Sequence, residues 1–564
     1  MDRGLTHYGD QEFSRYLRRS FSHSMGYSDE LLGRPVIAVA TSYSGFNNCH
    51  RQMPELVDAV KRGILVAGGL PLEFPTISLG EPFLFPTSMV FRNLMAMDVE
   101  EMIRAQPMDG VVLVGGCDKT VPAQLMGAVS ADLPAVQVVT GPMSTGSYQG
   151  ERLGACTDCR RFWGRHRAGE LGPGQIKRVE RNLATTAGTC AVMGTASTMA
   201  CVAEALGMAL PGSATPPAVH ADRLRVAEAS GRQAVAAAAA GLTARQVVTE
   251  QAVRNAFRVI LAIGGSTNAL IHLTAIAGRA GIRISGDELN RLSDETPVLV
   301  DLKPTGQHYM QDLHAAGGLP VVLRELKPVL ELDAQTVTGR TLGECLAADD
   351  EWVDRSVVRP FDDPVSSVGG LVHLTGNIAP RGAVLKRSAA DQGLMEHVGR
   401  AVVFTSLEDL AARIDDPDLD VEPDDVLVLQ NAGPVGAGMP EAGYIPIPRK
   451  LASRGVKDMV RISDARMSGT AYGTVVLHVA PEAAVGGPLS VVRSGDRIQL
   501  SVTKRRLEVL VDDVELARRR ADWEAPAGLA ADTGYRRMFR HHVTQADQGC
   551  DLDVSAPGGG DDAV

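Results

Sequence analysis

The sequence predicts an α/β protein with a doubly wound parallel-sheet domain at its amino-terminal end and a β-barrel-like domain at its carboxyl-terminal end. In the first two thirds, short β-branched runs alternate with amphipathic stretches, whereas beyond about residue 380 short β-rich runs are separated by turns. With 564 residues, 45% of them hydrophobic, the chain can bury more than one core. We therefore expect two domains, 1–380 and 381–564.

The amino-terminal region repeats one unit, in which a β-branched run leads through a polar or Gly-rich loop to an amphipathic stretch. The run 34–41 precedes the helical pattern 54–67, the run 110–115 precedes 122–129, and further strand-like runs cover 72–78 and 135–140. This alternation is typical of βα units in a parallel sheet. Ligands bind at the carboxyl ends of the strands in such sheets, so we expect a site in the loops there.

The carboxyl-terminal region contains closely spaced β-rich runs at 425–429, 474–479, 497–502 and 506–511. Turn signals such as Ser494-Gly495-Asp496 lie between them. Short strands at this spacing favour a small barrel-like domain.

Composition excludes several classes of function. The formal net charge is −11 and no dense block of Lys and Arg occurs, so nucleic-acid binding is not expected. No apolar run reaches the roughly 18–20 residues of a membrane span, and the polar start lacks the apolar core of a signal peptide. We expect no membrane partner and a cytoplasmic location. Eight cysteines are too sparse for a disulfide scaffold and remain available as ligands.

Three cysteines lie in Gly- or Asn-containing loops: Cys49 in the segment 44–51, Cys117 in 115–120 and Cys190 in 188–199. Backbone amides in such loops can hydrogen-bond thiolates and cluster sulfides. A single cysteine is more often a small buried hydrophobic residue. Because two of the three follow predicted strands, we expect them to act together.

Acidic residues accompany these cysteines. Asp118 and Lys119 follow Cys117 directly, and Glu81 comes at the end of a neighbouring predicted strand. Carboxylates that converge in one crevice suit a hard cation such as Mg²⁺, although a lone Asp or Glu is usually a solvated surface group. Lys119 does not fit a cation site unless its charge is removed.

Two Gly-rich loops mark the second region. Glu441 lies in the segment 436–443 and Ser468 in the segment 464–473. Such loops either make tight turns or bring backbone and short side chains close to a ligand. For a lone serine the turn is the more ordinary explanation.

Seven segments together closely resemble the dihydroxy-acid, phosphogluconate and sugar-acid dehydratase family. They are Asn48-Cys-His-Arg51, Gly116-Cys-Asp-Lys-Thr120, 188–199, Gly264-Gly-Ser-Thr-Asn-Ala269, Gly376-Asn-Ile-Ala-Pro380, Met439-Pro-Glu441 and Asp464-Ala-Arg-Met-Ser-Gly469. Their order and spacing match that family over nearly the full length, and the ending 549–553 is similar to its closing motif.

The resemblance implies two inorganic cofactors. The implied ligands are Cys49, Cys117 and Cys190 for an iron–sulfur cluster, and Glu81, Asp118, Glu441 and a carbamylated Lys119 for Mg²⁺. Carbamylation would turn the ammonium of the lysine into a carboxylate-like oxygen donor. Three cysteines leave one iron with an open position, as a Lewis acid requires. A 2Fe-2S cluster is favoured, and a 4Fe-4S cluster is the other possibility.

The resemblance also implies a reaction, the removal of water from a 2,3-dihydroxy sugar acid to give the 2-keto-3-deoxy acid. Ser468 as an alkoxide is the implied base, and Thr470 is a candidate for orienting it or the substrate. A free serine is a very weak base, so this role requires cations that lower its pKa. The expected partners are a small hydroxy-acid substrate and further copies of the chain, in a homodimer or homotetramer.

Two other functions stay open at this point. A branched-chain dihydroxy-acid dehydratase is the first, although its third cysteine motif typically reads Ala-Cys-Gly-Gly-Met-Tyr, where this chain has Thr-Cys-Ala-Val-Met-Gly at 189–194. The second is an iron–sulfur redox or sensor protein without turnover, for which Ser468 would be dispensable.

Other motifs carry less weight. Cys156-Thr-Asp-Cys159 has redox spacing but lacks the second pair of a zinc ribbon, so we interpret it as a structural loop. The segment 264–268 either binds an anion or caps a helix through Ser266 or Thr267. No Walker or dinucleotide-binding sequence occurs, so no nucleotide cofactor is expected.

Overall fold

The computed structural model describes residues 4–347, 352–526 and 533–555. In the amino-terminal region the strands are β1 Val36–Thr41, β2 Leu70–Pro75, β3 Gly110–Gly115, β4 Ala135–Val139, β5 Gly146–Tyr148 and β6 Glu151–Leu153. The helices are α1 Gln11–Ser24, α2 Asp29–Leu32, α3 Met53–Val66, α4 Ser88–Ala105, α5 Thr120–Ala131, α6 Thr157–Arg167, α7 Pro173–Leu183, α8 Thr195–Ala205, α9 Ala221–Ala240, α10 Ala244–Val247, α11 Glu250–Ala262, α12 Thr267–Arg279, α13 Gly286–Glu295, α14 Met310–Ala315, α15 Gly318–Glu325 and α16 Leu342–Cys345.

The first four strands form a parallel sheet in the order β2-β1-β3-β4. Every residue of β1, β3 and β4 is buried, which explains why their sequences are continuous β-branched runs rather than alternating ones. Helices α3 and α9 pack together against the sheet, and α4 packs against α5. The predicted parallel α/β region is confirmed.

The carboxyl-terminal region is built around a closed eight-stranded barrel in the order β10-β11-β12-β8-β7-β14-β13-β9. Its strands are β7 Val372–Gly376, β8 Ala379–Leu385, β9 Glu396–Phe404, β10 Val426–Leu429, β11 Arg461–Ser463, β12 Val475–Ala480, β13 Arg497–Ser501 and β14 Arg506–Val509. The helices of this region are α17 Leu407–Arg413, α18 Pro434–Ala437, α19 Arg449–Ala452, α20 Asp513–Ala521 and α21 Gly534–His542.

The barrel confirms the predicted fold of the second region. Its first strand, β7, lies ahead of residue 381, and the division of the chain after residue 380 stays a prediction. Val384 on β8 belongs to the same large apolar core as the amino-terminal sheet, so the barrel packs directly on the α/β region. The loops of the two regions therefore meet, and the candidate site lies where they do.

The described parts of the chain contain no helix that is both long and apolar enough to cross a membrane.

Candidate functional site

A cavity of about 920 Å³ lies between the loops at the carboxyl ends of the parallel strands and the loops of the barrel region. From the sheet side, its lining includes Cys49 after β1, Glu81 after β2 and Cys117 after β3. From the barrel side it includes Glu441 and Ser468. This is the edge of a parallel α/β sheet where ligands bind.

The three cysteines singled out in the sequence all line this cavity. Cys49 lies in a short 3₁₀ turn, where its backbone N–H donates to the side-chain oxygen of Asn47 at 3.1 Å. Cys117 has φ of +73°, in the left-handed region that residues other than glycine rarely adopt. Cys190 precedes α8 and lines the same cavity. The structure thus brings together three thiols that are far apart along the chain.

His50 joins the loops that carry Cys49 and Cys117. It is fully buried, its Nδ1 donates to the carbonyl of Ser42 at 2.8 Å, and its Nε2 accepts from the backbone N–H of Gly116 at 3.0 Å. Burial lowers the pKa of His50, which favours the neutral ring that this pattern requires. His50 is therefore a positioning residue for the two thiols.

Five charged side chains form the acidic part of the site. Glu81, Asp118 and Glu441 each offer an oxygen within 4.8 Å of the others. The fully buried Lys119 donates to Glu81 at 3.2 Å, and the guanidinium of Arg466 donates to Glu441 at 2.6 Å and to Glu81 at 2.9 Å. The positive charges of Lys119 and Arg466 offset the repulsion between the carboxylates and so allow them to lie close together.

The carboxyl pKa values differ strongly within this group. Burial on its own would raise the pKa of Glu81, but the charges of Lys119 and Arg466 outweigh it and hold that pKa well below its usual range. Burial raises the pKa of Asp118 to about 7, with Glu81 and Glu441 adding to the rise and Lys119 opposing it. Glu81 is thus ionised at neutral pH, whereas Asp118 exchanges its proton near neutral pH.

The serine and threonine of the barrel loop lie side by side. Ser468 Oγ and Thr470 Oγ1 are 2.9 Å apart, and both side chains are nearly buried. Gly469 between them has no side chain because a Cβ there would lie 2.6 Å from Ser266 Oγ and from the backbone nitrogen of Thr195. Close packing against α8 and α12 therefore fixes where the two hydroxyl groups point.

Two residues that the sequence did not single out belong to the site. The first is Arg466; the sequence feature that could have indicated its role is its position inside the motif 464–469. The second is Cys156, whose motif we interpreted as a structural loop; its Sγ lies 3.4 Å from Cys190 Sγ and it lines the cavity together with Cys159. No local pattern pairs position 156 with position 190, so only the fold reveals this contact.

The remaining motifs take structural positions. Ser266 caps α12 by accepting from the backbone N–H of Asn268 at 3.1 Å, which confirms the capping alternative for the segment 264–268. Cys201 and Cys550 are buried in apolar clusters and Cys345 is half-buried.

The donor atoms divide the cavity into two chemically different halves. One half presents thiols, which are soft donors suited to iron, and the other presents carboxylate oxygens, which suit Mg²⁺. Glu81 Oε2 accepts from both Ser88 and Lys119, whereas Oε1 accepts from Arg466 and retains a further lone pair, so Oε1 is the oxygen open to a cation. The residues present therefore fit both an iron–sulfur cluster and a magnesium ion.

Two models of one protein family match most of this chain. Residues 34–345 match the model of the dihydroxy-acid/6-phosphogluconate dehydratase N-terminal domain, and residues 356–550 match that of the C-terminal domain. The chain is 47% identical to an L-arabinonate dehydratase of Rhizobium leguminosarum bv. trifolii over 97% of this chain and 95% of the relative. It is 45% identical to a 6-deoxy-6-sulfo-D-gluconate dehydratase of Pseudomonas putida over 94% and 92%, respectively.

A dihydroxy-acid dehydratase of Caldanaerobacter subterraneus is 39% identical over 94% of this chain and 96% of the relative. Both family models and all three relatives span the loops that carry the thiols, the carboxylates and Ser468. The chain belongs to the dihydroxy-acid/6-phosphogluconate dehydratase family.

Proposed function

We propose that this chain is a hydro-lyase that removes water from a 2,3-dihydroxy sugar acid and releases the 2-keto-3-deoxy acid. The observation that carries the proposal is the single cavity that three thiols, three carboxylates and the Ser468 hydroxyl share. The relatives named for sugar-acid substrates support the same chemistry, since they are 45–48% identical to this chain.

The proposal includes two cofactors. Cys49, Cys117 and Cys190 would hold an iron–sulfur cluster, for which 2Fe-2S is favoured over 4Fe-4S. Glu81, Asp118, Glu441 and a carbamylated Lys119 would hold Mg²⁺. Together the cofactors would supply positive charge next to the carboxylate and the hydroxyl groups of the substrate, where negative charge develops as the proton and the hydroxide leave.

Lys119 is suited to carbamylation by its position. It is fully buried beside Glu81, within reach of the oxygens that would bind the metal. Its ammonium group would first lose one proton; the neutral amine would then attack carbon dioxide, forming an N–C bond and losing a second proton, so that a buried cation becomes an anion with two oxygens. The same change would remove the ammonium group that contacts Glu81 in the acidic half of the site.

Ser468 is the proposed base that removes the proton from C2. Thr470 Oγ1 lies 2.9 Å from Ser468 Oγ and can donate a hydrogen bond to the alkoxide, which orients it and stabilises its charge. The backbone N–H of Thr470 lies 3.5 Å from the same oxygen and adds a weaker contact. Because both hydroxyl groups are nearly buried, little water competes for the alkoxide.

Arg466 has a supporting role in this proposal. By holding Glu81 and Glu441 at 2.9 and 2.6 Å, it brings a ligand from the sheet side and one from the barrel side to the same place. A homodimer or homotetramer is the proposed assembly. The reducing cytoplasm, which keeps thiols free to bind iron, is the proposed compartment.

The branched-chain dihydroxy-acid dehydratases remain the second candidate, and the cavity favours the first. Their relatives are 36–39% identical to this chain, below the sugar-acid enzymes. The wall of the cavity formed by α6 also presents Arg160, whose Nε is buried without a hydrogen-bond partner among the described residues. A donor of that kind suits the hydroxyl-rich tail of a sugar acid better than a methyl-branched chain.

The substrate is tested with a panel of acids. Anaerobically purified, Mg²⁺-loaded protein is incubated with pentonates, hexonates, 6-substituted hexonates and 2,3-dihydroxyisovalerate, and 2-keto acid release is measured. We expect turnover of at least one sugar acid at a kcat/KM well above that for 2,3-dihydroxyisovalerate. Preference for the branched acid would favour the second candidate, and no release from any acid would contradict the dehydratase proposal.

The role of Ser468 is tested with Ser468→Ala. Loss of the base should lower kcat by about 10²- to 10⁴-fold, while the iron and magnesium contents stay at the wild-type level. Metal analysis and the visible spectrum provide the control, because a variant that has lost its metals would say nothing about the base. Full activity in a metal-replete Ser468→Ala protein would exclude the serine as the base.

A further inference from the structure

The segment around Cys156 is held against the segment around Cys190. Cys156 lies at the N-cap of α6, and its Sγ is 3.4 Å from Cys190 Sγ. The backbone N–H of Ala191 donates to the carbonyl of Ala155 at 3.0 Å, which joins the two segments one residue away from the thiols. This backbone hydrogen bond holds the two thiols close together.

A second pair of cavity thiols is formed by Cys49 and Cys117, whose side chains lie within interaction distance of each other. Two thiolates bound to one tetrahedral metal at about 2.3 Å lie about 3.8 Å apart, close to the separation of Cys156 and Cys190. A 2Fe-2S cluster held by four cysteines takes two thiolates on each iron. Four of the five thiols that line the cavity therefore form two pairs, as such a cluster uses them.

The two pairs differ in their exposure. Cys49 and Cys117 are buried, whereas Cys156 and Cys190 are partly exposed towards the cavity. An iron held by the second pair would face the space that a substrate enters. An iron held by the first pair would be enclosed by the β1 and β3 loops.

We infer that Cys156 is a fourth thiolate ligand of the cluster, that it shares one iron with Cys190, and that the substrate displaces it. The inference rests on the proposed function, which places the cluster in this cavity. In the exchange the bond between iron and Cys156 Sγ breaks, the sulfur keeps its electron pair, and the C3 oxygen of the substrate takes the position. No oxidation or reduction occurs.

This arrangement reconciles a closed cluster with a Lewis-acid role. Without substrate, four thiolates leave no iron position open to oxygen or water. When the substrate is bound, three thiolates remain and one iron contacts the departing hydroxyl group. Cys156 would thus protect the cluster between turnovers without blocking the reaction.

The inference is tested by Mössbauer spectroscopy of ⁵⁷Fe-enriched holoenzyme, with Cys156→Ala compared to wild type and Cys159→Ala as the matched control. Cys159 belongs to the same motif and cavity, but its Sγ donates to the carbonyl of Cys156 at 2.6 Å rather than contacting Cys190. We expect Cys156→Ala to change the quadrupole doublet of one iron and to lose its cluster several-fold faster in air. The Cys159→Ala spectrum should match the wild type.

Addition of a sugar acid that the enzyme dehydrates should shift the wild-type doublet towards that of Cys156→Ala. A wild-type spectrum that is unchanged by substrate would overturn the displacement. A Cys156→Ala protein with the wild-type spectrum and full iron content would overturn the ligand assignment while leaving the proposed function intact. Wild-type protein that binds no iron at all would overturn the proposed function, and this inference with it.

A second measurement needs no variant and so does not depend on folding of Cys156→Ala. Wild-type holoenzyme and cluster-free protein are treated with iodoacetamide, and the modified cysteines are mapped by mass spectrometry. Cys156 should be protected in the holoenzyme to the same degree as Cys190 and should react in the cluster-free protein. Equal labelling of Cys156 in both forms would contradict its ligation.

Discussion

Arg466 shows how single residues set the charge of the site. Its side chain is only 1% exposed and contacts two carboxylates from different regions of the chain, Glu81 and Glu441. A buried guanidinium is unfavourable alone, but two ionised partners raise its pKa above the usual range. The acidic half of the site therefore keeps ionised carboxylates before any metal binds.

Asp118 gives the site a dependence on pH. Its pKa of about 7 in the folded chain lies above the ordinary value of 3.8, so between these values the folded state holds a proton that the unfolded state has lost. This contribution to the free energy of unfolding is present at low pH and disappears as the pH rises through about 7. A cation that binds Asp118 must displace the same proton.

We predict that, in carbon-dioxide-free buffer where Lys119 keeps its ammonium group, Mg²⁺ binding releases about one proton per site at pH 6 and close to none at pH 8, because Asp118 is already ionised at the higher pH. Isothermal titration calorimetry in two buffers of different ionisation enthalpy measures the release. Asp118→Asn should abolish the difference between the two pH values. Glu81, whose pKa is lowered, should contribute no proton at either pH, so equal release at pH 6 and pH 8 would contradict the prediction.

At the scale of elements, the active loop depends on close contact with two helices. The loop 466–470 approaches α8 and the start of α12 through Gly469, where no space for a Cβ remains. Thr195 Oγ1 and Ser266 Oγ are 2.9 Å apart at this contact and hold the two helix starts together. The loop thus rests on a rigid base that comes from the other region of the chain.

We predict that Gly469→Ala lowers the free energy of unfolding by about 1–3 kcal/mol, because the added methyl group must push the loop away from Ser266 and Thr195. A displacement of about 1 Å at Ser468 should lower kcat about 100-fold. Urea denaturation and steady-state assays measure the two effects.

Gly174→Ala is the matched control. The nearest neighbour of the added Cβ would be Arg178 Nη1 at 3.9 Å, and Gly174 lies on α7 outside the cavity lining. It should be neutral or stabilise the protein by about 0.4–1 kcal/mol. Equal effects of the two substitutions would show that the contact with α8 and α12 determines neither the free energy of unfolding nor kcat.

The elements differ in how well the sequence predicts them. β1 and β3 are continuous apolar runs, and both were predicted within two residues of their observed ends. β7 was not predicted, because Val372–Gly376 is short and only its pairing with β8 and β14 makes it a strand. Closure of the barrel likewise depends on pairing between distant strands, which no local pattern encodes.

The same limit applies to the site. Cys49, Cys117 and Cys190 could be singled out because each lies in an unusual local segment. Cys156 could not be assigned in this way, since its neighbour in space, Cys190, is 34 positions away along the chain. Contacts across that distance follow from the fold and not from spacing.

At the scale of the whole molecule, the carboxyl-terminal segment returns to the amino-terminal region. The carbonyls of Gly549 and Cys550 accept from Arg92 at 2.9 and 2.8 Å. Arg279 at the end of α12 makes a two-point contact with Asp551 at 2.5 and 2.9 Å, and it also donates to Glu100 at 2.9 Å. The ending 549–553 therefore fastens the chain beyond the barrel to helices α4 and α12.

Because α12 also supports the active loop, this fastening should contribute to global stability. We predict that Arg279→Met lowers the free energy of unfolding by about 3–5 kcal/mol, since Asp551 and Glu100 would stay buried without their main partner. The control is Arg381→Met, which breaks the more exposed pair with Asp547 in the same segment and should cost at most about 1 kcal/mol. Urea denaturation of the anaerobic holoenzyme measures the free energy of unfolding of both variants. A similar decrease in the two variants would mean that burial of the Arg279 contacts does not determine their contribution to stability.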